Sequence, residues 1–269
     1  MPVLVTAAHR PLAKRIALRL LEEGGEVRAY GGGDTSALRA AGAFVATGTA
    51  DDEGRLESAM AEVHTVVHVG GGLLGVRPEV DVGAARIMTT AATNAGVSRI
   101  IVLSIPGASA DHDEPYRRAR GRIEDLVAQA APPSIALRVN LLDTPAMRDA
   151  LATGGFGPDV LDTRVAPVAV DDLVELVAAF DRARSRSEAG HLVVGADGPV
   201  RLSVGDWLDR VGAARPGRGS LLGRRISDPE RTPLLAGALT SGPWQSEPPH
   251  VMDAWGFAGL HPTPPAVGG

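Results

Sequence analysis

Tyr116 and Arg120 stand four residues apart, a spacing that sets both side chains on one face of a helix. A phenol serves as a proton donor or an oxygen-binding group. A guanidinium one turn away would stabilise its phenolate or a substrate anion. Just upstream, Asp111-His112-Asp113-Glu114 gathers carboxylates around an imidazole that titrates near neutrality. Asp113 and His112 read there either as a base and a substrate-binding group or as a solvated loop that caps the next helix. Ser104, Arg138 and Asn140 end or follow apolar runs, the first as a hydrogen-bonding hydroxyl and the other two as candidate substrate-binding residues. His9-Arg10 precedes Pro11, which suits a first helical turn, so this pair would sit at a helix N-terminus that favours anions. The chain has no cysteine, which excludes thiolate catalysis, disulfides and Cys-ligated zinc. The acidic cluster lacks further ligands, so no metal site is expected.

These residues need a scaffold, and the apolar pattern supplies one. Val3-Leu4-Val5, Glu26 to Tyr30, Phe44 to Ala46, Thr65 to Val69, and Arg99 to Leu103 read as short buried strands. Between them, helical spacing marks residues 11–23, 36–41, 55–63 and 82–95. Such strict alternation predicts an α/β chain with a parallel, doubly wound sheet, whose ligands bind beyond the carboxyl ends of the strands. Further on, 118–130, 171–182 and 203–211 read as helices, and 134–139 and 191–194 as strands. Residues 213–249 are rich in Gly, Pro, Arg and Ser and read as loops of a small C-terminal substrate lobe. The expected organisation is one unit over 1–269. Residues of about 1–140 form the core, and about 141–269 mix the lobe with late core elements.

Composition narrows the partners. A net charge of -5 argues against a basic footprint for nucleic acid or an anionic membrane. No apolar run reaches bilayer length and no charged leader precedes an apolar segment, so a cytoplasmic protein is expected. A small-molecule substrate is the expected partner; the oligomeric state stays open, a homodimer being one option.

Several stretches in the right order resemble the short-chain dehydrogenase/reductase superfamily, in its extended and atypical branches (NmrA-like and NAD-dependent epimerase/dehydratase-like). They are Val3 to Thr6 with its loop and helix, Ala46 to Glu53, Thr65 to Gly70, Asn94 to Ser104, Val165 to Leu173 and Trp255-Gly256-Phe257. The resemblance implies a Rossmann-type fold and a glycine-rich loop, Thr-Gly-x-x-Gly-x-x-Gly, that lets the backbone approach a dinucleotide. Here that register reads Thr6-Ala7-Ala8-His9-Arg10-Pro11-Leu12-Ala13, without any of the three glycines. Ala7 and Ala13 are small, but an Arg10 side chain would enter the dinucleotide space. After the second strand the chain has Gly31-Gly32-Gly33, with Asp34 as a candidate for the ribose of NAD. His9 and Arg10 are either drift in a disused site or recruited polar groups. The family's redox chemistry uses a Tyr and a Lys four residues later, plus a Ser on the fifth-strand loop. Tyr116 has Arg120 in place of the lysine, and the serine register falls nearest Ile105, beside Ser104.

Loss of the loop glycines leads to the expectation that NAD(P) is not bound and that Thr6, Ala7, His9, Arg10 and Asp34 are a degenerate cofactor site. The function then expected is non-redox chemistry on a small metabolite, of isomerase, lyase or cyclase type. An NAD(P)-dependent oxidoreductase or epimerase with an unusual loop is one alternative, and a non-catalytic NmrA-like sensor is another.

Overall fold

The computed structural model describes residues 1–70, 77–154, 156–183, 190–213, 231–242, 244 and 252–264. The first half alternates as the apolar pattern predicts. Strands β1 (Val3–Val5), β2 (Val27–Gly31), β3 (Phe44–Thr47), β4 (Thr65–His68), β5 (Arg99–Ser104) and β6 (Ser134–Val139) are separated by α1 (Pro11–Glu22), α2 (Ser36–Ala40), α3 (Glu53–Met60), α4 (Pro78–Asn94) and α5 (Pro115–Gln129). Helices α4 and α5 start earlier than apolar spacing predicts because a proline opens each, at positions where a missing N–H costs nothing.

The second half threads in and out of the sheet. It runs through β7 (Leu142–Asp143), α6 (Pro145–Thr153), α7 (Pro158–Leu161), β8 (Arg164–Val165) and β9 (Val168–Ala169) to α8 (Val170–Arg182) and β10 (His191–Ala196). Then come β11 (Leu202–Ser203), α9 (Val204–Arg210), α10 (Arg231–Thr240), β12 (Met252–Asp253) and α11 (Ala254–Ala258). The stretch 213–249 is therefore not all loop. It contains α10, while 214–230 and 245–249 lie outside the described residues.

The main sheet has the order β12-β10-β6-β5-β4-β1-β2-β3, with every pairing parallel. Strand residues alternate between two cores. Val3, Val5, Val67, Ile101 and Leu137 face the layer of α1 and α8. Leu4, Val66, Ile100, Val102 and Ala136 face α3, α4 and α5. A third cluster, containing Leu151, Val165, Trp207, Leu239 and Trp244, is the core of the C-terminal lobe. The chain then returns to the sheet. β12 pairs with β10, Trp255 Nε1 donates to the Asp197 carbonyl at 2.8 Å, and Phe257 stacks on Phe180 at 5.1 Å. The chain direction across the sheet reverses between β1 and β4, so the loops after these two strands diverge and leave a crevice.

Candidate functional site

The crevice holds two cavities that meet end to end. One, of about 430 Å³, lies over the ends of β1, β2 and β3 and includes Thr6, Ala7, His9, Gly31 and Thr49. The other, of about 370 Å³, lies between the ends of β5 and β6 and the lobe and includes Ser104, Tyr116, Arg120, Met147 and Trp244. Arg10 and Gly70 border both.

The first cavity survives the loss of the loop glycines because Ala7 takes the backbone shape a glycine would. Its φ is +51°, the left-handed region, and Arg10 N–H closes the turn on the Ala7 carbonyl at 2.8 Å. An alanine holds that conformation at a cost of about 1–2 kcal/mol. Glycines are needed instead on the facing wall. A Cβ at Gly31 would lie 2.7 Å from His9 Nδ1, and one at Gly33 would lie 2.8 Å from the His9 Cβ. His9 thus rests its ring on the β2 loop. A Cβ at Gly48 would collide with the Tyr30 hydroxyl, which donates to the Thr49 carbonyl at 2.9 Å. Asp34 does not reach this cavity. It is exposed, and its carboxylate accepts the Ser36 N–H at 2.9 Å, a local turn that leads into α2. That hydrogen bond holds its carboxyl below the usual range. Asp34 is therefore not a ribose ligand here, a correction to the expectation.

At the floor of the crevice the Thr6 hydroxyl and His68 Nδ1 lie 3.0 Å apart, both buried. His68 Nε2 is buried with no hydrogen-bond partner, and His68 borders the first cavity. Burial, and then the charges of Arg120 and Arg10, push its pKa down to about 4. In the unfolded chain the same imidazole takes up its proton near pH 6.5. Between these values the unfolded state binds more protons. The His68 contribution is therefore complete above about pH 6.5 and is lost as pH falls to about 4, up to about 3 kcal/mol. Denaturant midpoints at pH 7 and 4.5 should converge in a His68→Asn variant relative to wild type. An equal acid loss in both proteins would refute this.

In the second cavity Ser104 ends β5, and its buried Oγ has no hydrogen-bond partner. Tyr116 and Arg120 both sit on α5, with the guanidinium 4.9 Å from the Tyr116 ring centroid. Burial raises the phenol pKa, and the Arg120 charge opposes the rise. Arg120 Nη2 in turn donates to Asp81 Oδ2 at 3.0 Å. Asp81 was missed by the apolar pattern, which starts α4 at Val82. Pro78 followed by acidic residues in the first turn was the signal that could have found it.

The remaining candidates are placed differently. Asn140 borders the cavity, but its amide is committed. Nδ2 donates to Asp197 Oδ1 and the Trp244 carbonyl, and Oδ1 accepts from the N–H groups of Leu141 and Ala166. It holds the Trp244 wall in place rather than offering hydrogen bonds to substrate. Arg138 is a further correction. It points away from both cavities into a two-pronged pair with Glu124, at 3.0 and 2.7 Å. His112 and Asp113 also lie outside the cleft. His112 Nδ1 accepts the Glu114 N–H at 3.0 Å, and Asp113 is exposed. The cap of α5 is Glu114, whose carboxylate accepts the N–H groups of Tyr116 and Arg117. Among the described residues no three His, Asp or Glu side chains converge as a metal cage, and no helix is long and apolar enough to cross a membrane.

Residues 7–133 match the sequence model of a family described as NAD(P)H-binding. No curated protein matches the chain. Among solved structures, a nucleoside-diphosphate-sugar epimerase from Staphylococcus aureus superimposes with a TM-score of 0.78 at 13% identity, over 98% of each chain. Triphenylmethane reductase of Citrobacter sp., in complex with NADP(H), gives 0.75 at 16% identity, over 98% of this chain and 97% of that one. An NADPH-dependent quinone oxidoreductase from Escherichia coli, in complex with NADPH, gives 0.74 at 19% identity, over 98% and 96%. Strand order and the superpositions show a Rossmann-type α/β fold, the fold that the short-chain dehydrogenase/reductase resemblance implies, and the family match over residues 7–133 agrees with it. They also overturn the expectation that no nicotinamide cofactor is used, because the match covers the very segment whose glycines are lost. The physical reason is the Ala7 turn, which keeps the shape without the residue type. The dinucleotide fits the residues present: the groove is continuous across the switch point, and the buried His68 Nε2 and Ser104 Oγ lack partners.

Proposed function

We propose that this protein is an NAD(P)H-dependent oxidoreductase that reduces a small, mainly apolar carbonyl-type compound. The observation that carries the reading is the pair of cavities meeting end to end, the outer one long enough to continue a dinucleotide groove into a substrate chamber. When bound, the nicotinamide supplies a hydride. Thr6, Ala7, His9 and His68 border the part of the groove suited to the adenosine half. In the chamber, Leu103, Ile105, Leu141, Met147 and Trp244 form an apolar wall that excludes water. Ser104 Oγ donates a hydrogen bond to the substrate oxygen. Tyr116, kept protonated by burial, delivers a proton to that oxygen. Arg120, anchored by Asp81, stabilises the phenolate that remains but shuttles no proton. The non-redox reading rested on an absent cofactor and has no separate support.

Titration of the purified protein with NADPH and NADH, followed by nicotinamide fluorescence, tests this. At least one should bind at about micromolar concentration, and its oxidation should be accelerated by a quinone or aromatic aldehyde. A folded protein that binds neither refutes the proposal.

A further inference from the structure

Arg10 occupies the register of the family's second glycine, and it is one of two residues that both cavities share. Its Nη1 reaches across the seam to the Gly70 carbonyl at 3.4 Å, the long end of hydrogen bonding, from a half-buried position. No carboxylate pairs with it among the described residues. Around it the surroundings are set for an anion. Arg10 is the N-cap of the twelve-residue α1 but makes no side-chain cap, and the first turn of that helix has no acidic residue. Beside the seam lies His68 Nε2, buried and unpartnered, and the charge of Arg10 reaches that ring. Arg120, by contrast, has its countercharge in Asp81.

We propose that Arg10 is a latch that leaves the Gly70 carbonyl and binds the diphosphate of the dinucleotide, so that a guanidinium fork replaces the close backbone approach a glycine would allow. The inference rests on the cofactor reading above. A neutral carbonyl at 3.4 Å is a weak partner for a cation, and a diphosphate offers charged oxygens to both prongs of the fork. The same substitution that looks like an obstruction in the sequence becomes the principal anion contact. The two views predict opposite signs for its removal.

Calorimetry with ADP-ribose, which carries the diphosphate but no nicotinamide, and with adenosine, which carries neither, separates them. Arg10→Ala should weaken ADP-ribose by about 10- to 100-fold, the range for a hydrogen bond to a charged group, and leave adenosine unchanged. Arg10→Lys should recover part of the loss. The salt dependence of ADP-ribose binding should flatten in Arg10→Ala. If Arg10→Ala or Arg10→Gly binds ADP-ribose as tightly as wild type, or more tightly, the latch is wrong and Arg10 is a bystander or a block. If wild type binds none of ADP-ribose, NADH and NADPH, the cofactor reading falls together with the latch.

Discussion

Replacing Tyr116 by Phe should lower turnover by about 10²- to 10⁴-fold, the usual consequence of removing a positioned general acid. The change deletes one oxygen from a buried ring and leaves the ring in its packing. Folding should therefore survive, and dinucleotide affinity should stay within about threefold of wild type. The loss should appear in kcat, because the proton is needed in the transition state and not for binding. Arg120→Ala is the informative companion. It removes the charge 4.9 Å from the ring and the buried ion pair with Asp81. It should therefore lower both turnover and thermal stability, whereas Tyr116→Phe lowers turnover alone. Steady-state kinetics beside a thermal melt decides the matter. Full activity in Tyr116→Phe would make Tyr116 a packing residue and move the search for a proton donor to the Ser104 end of the chamber.

The second large effect is expected at Arg117, one residue along the same helix but facing the lobe. Its side chain is fully buried, and its guanidinium donates to the carbonyls of Pro106, Ala238 and Gly242. It also lies 5.2 Å from the Trp244 ring centroid. One side chain thus ties the β5–α5 loop, α5 and α10 to the tryptophan that walls the substrate chamber. Arg117→Met keeps much of the volume but takes the guanidinium donor from the Pro106 and Gly242 carbonyls, each a loss of about 1–3 kcal/mol, while the Ala238 carbonyl still accepts from Trp244 Nε1. A total of about 3 kcal/mol or more is expected from urea denaturation, with residues 231–242 newly open to limited proteolysis. KM should rise as the Trp244 wall loosens. A loss under about 1 kcal/mol with that segment still protected would show that the lobe is held mainly by its own core.

The sheet was legible because its strands are buried on both faces. Runs such as Val3-Leu4-Val5 and Ile100-Ile101-Val102 have no other reading between helices of amphipathic spacing. Of the lobe only α9 was legible, through its Ser203 cap; the rest was not, because its strands are two residues long and its helices are mostly short. They are set by packing around Trp207 and Trp244, not by periodicity. In the site, Tyr116 and Arg120 could be paired from spacing alone, since a helix turn brings i and i+4 together. Partners distant in sequence could not be read. Arg138 and Asn140 look free at a strand end until Glu124, Asp197 and Trp244 close on them. The cofactor loop misled for a related reason: residue type is written in the sequence, whereas the left-handed φ of Ala7 is not. His9 shows the converse. Its place follows from glycines at 31 and 33, whose purpose is visible only once the ring is seen lying against them.

The return of residues 252–264 to the sheet has a bearing on how the molecule is made. β10 can pair with β6 once residue 196 has been made, but its other edge waits for β12, and Phe180 waits for Phe257. Between the two lie residues 197–251, whose described part includes β11, α9 and α10 of the lobe. At ~5–20 residues per second on the ribosome, that delay lasts several seconds. Throughout it the nascent chain carries an open parallel edge beside an uncovered aromatic ring, the kind of surface that recruits chaperones or neighbouring nascent chains.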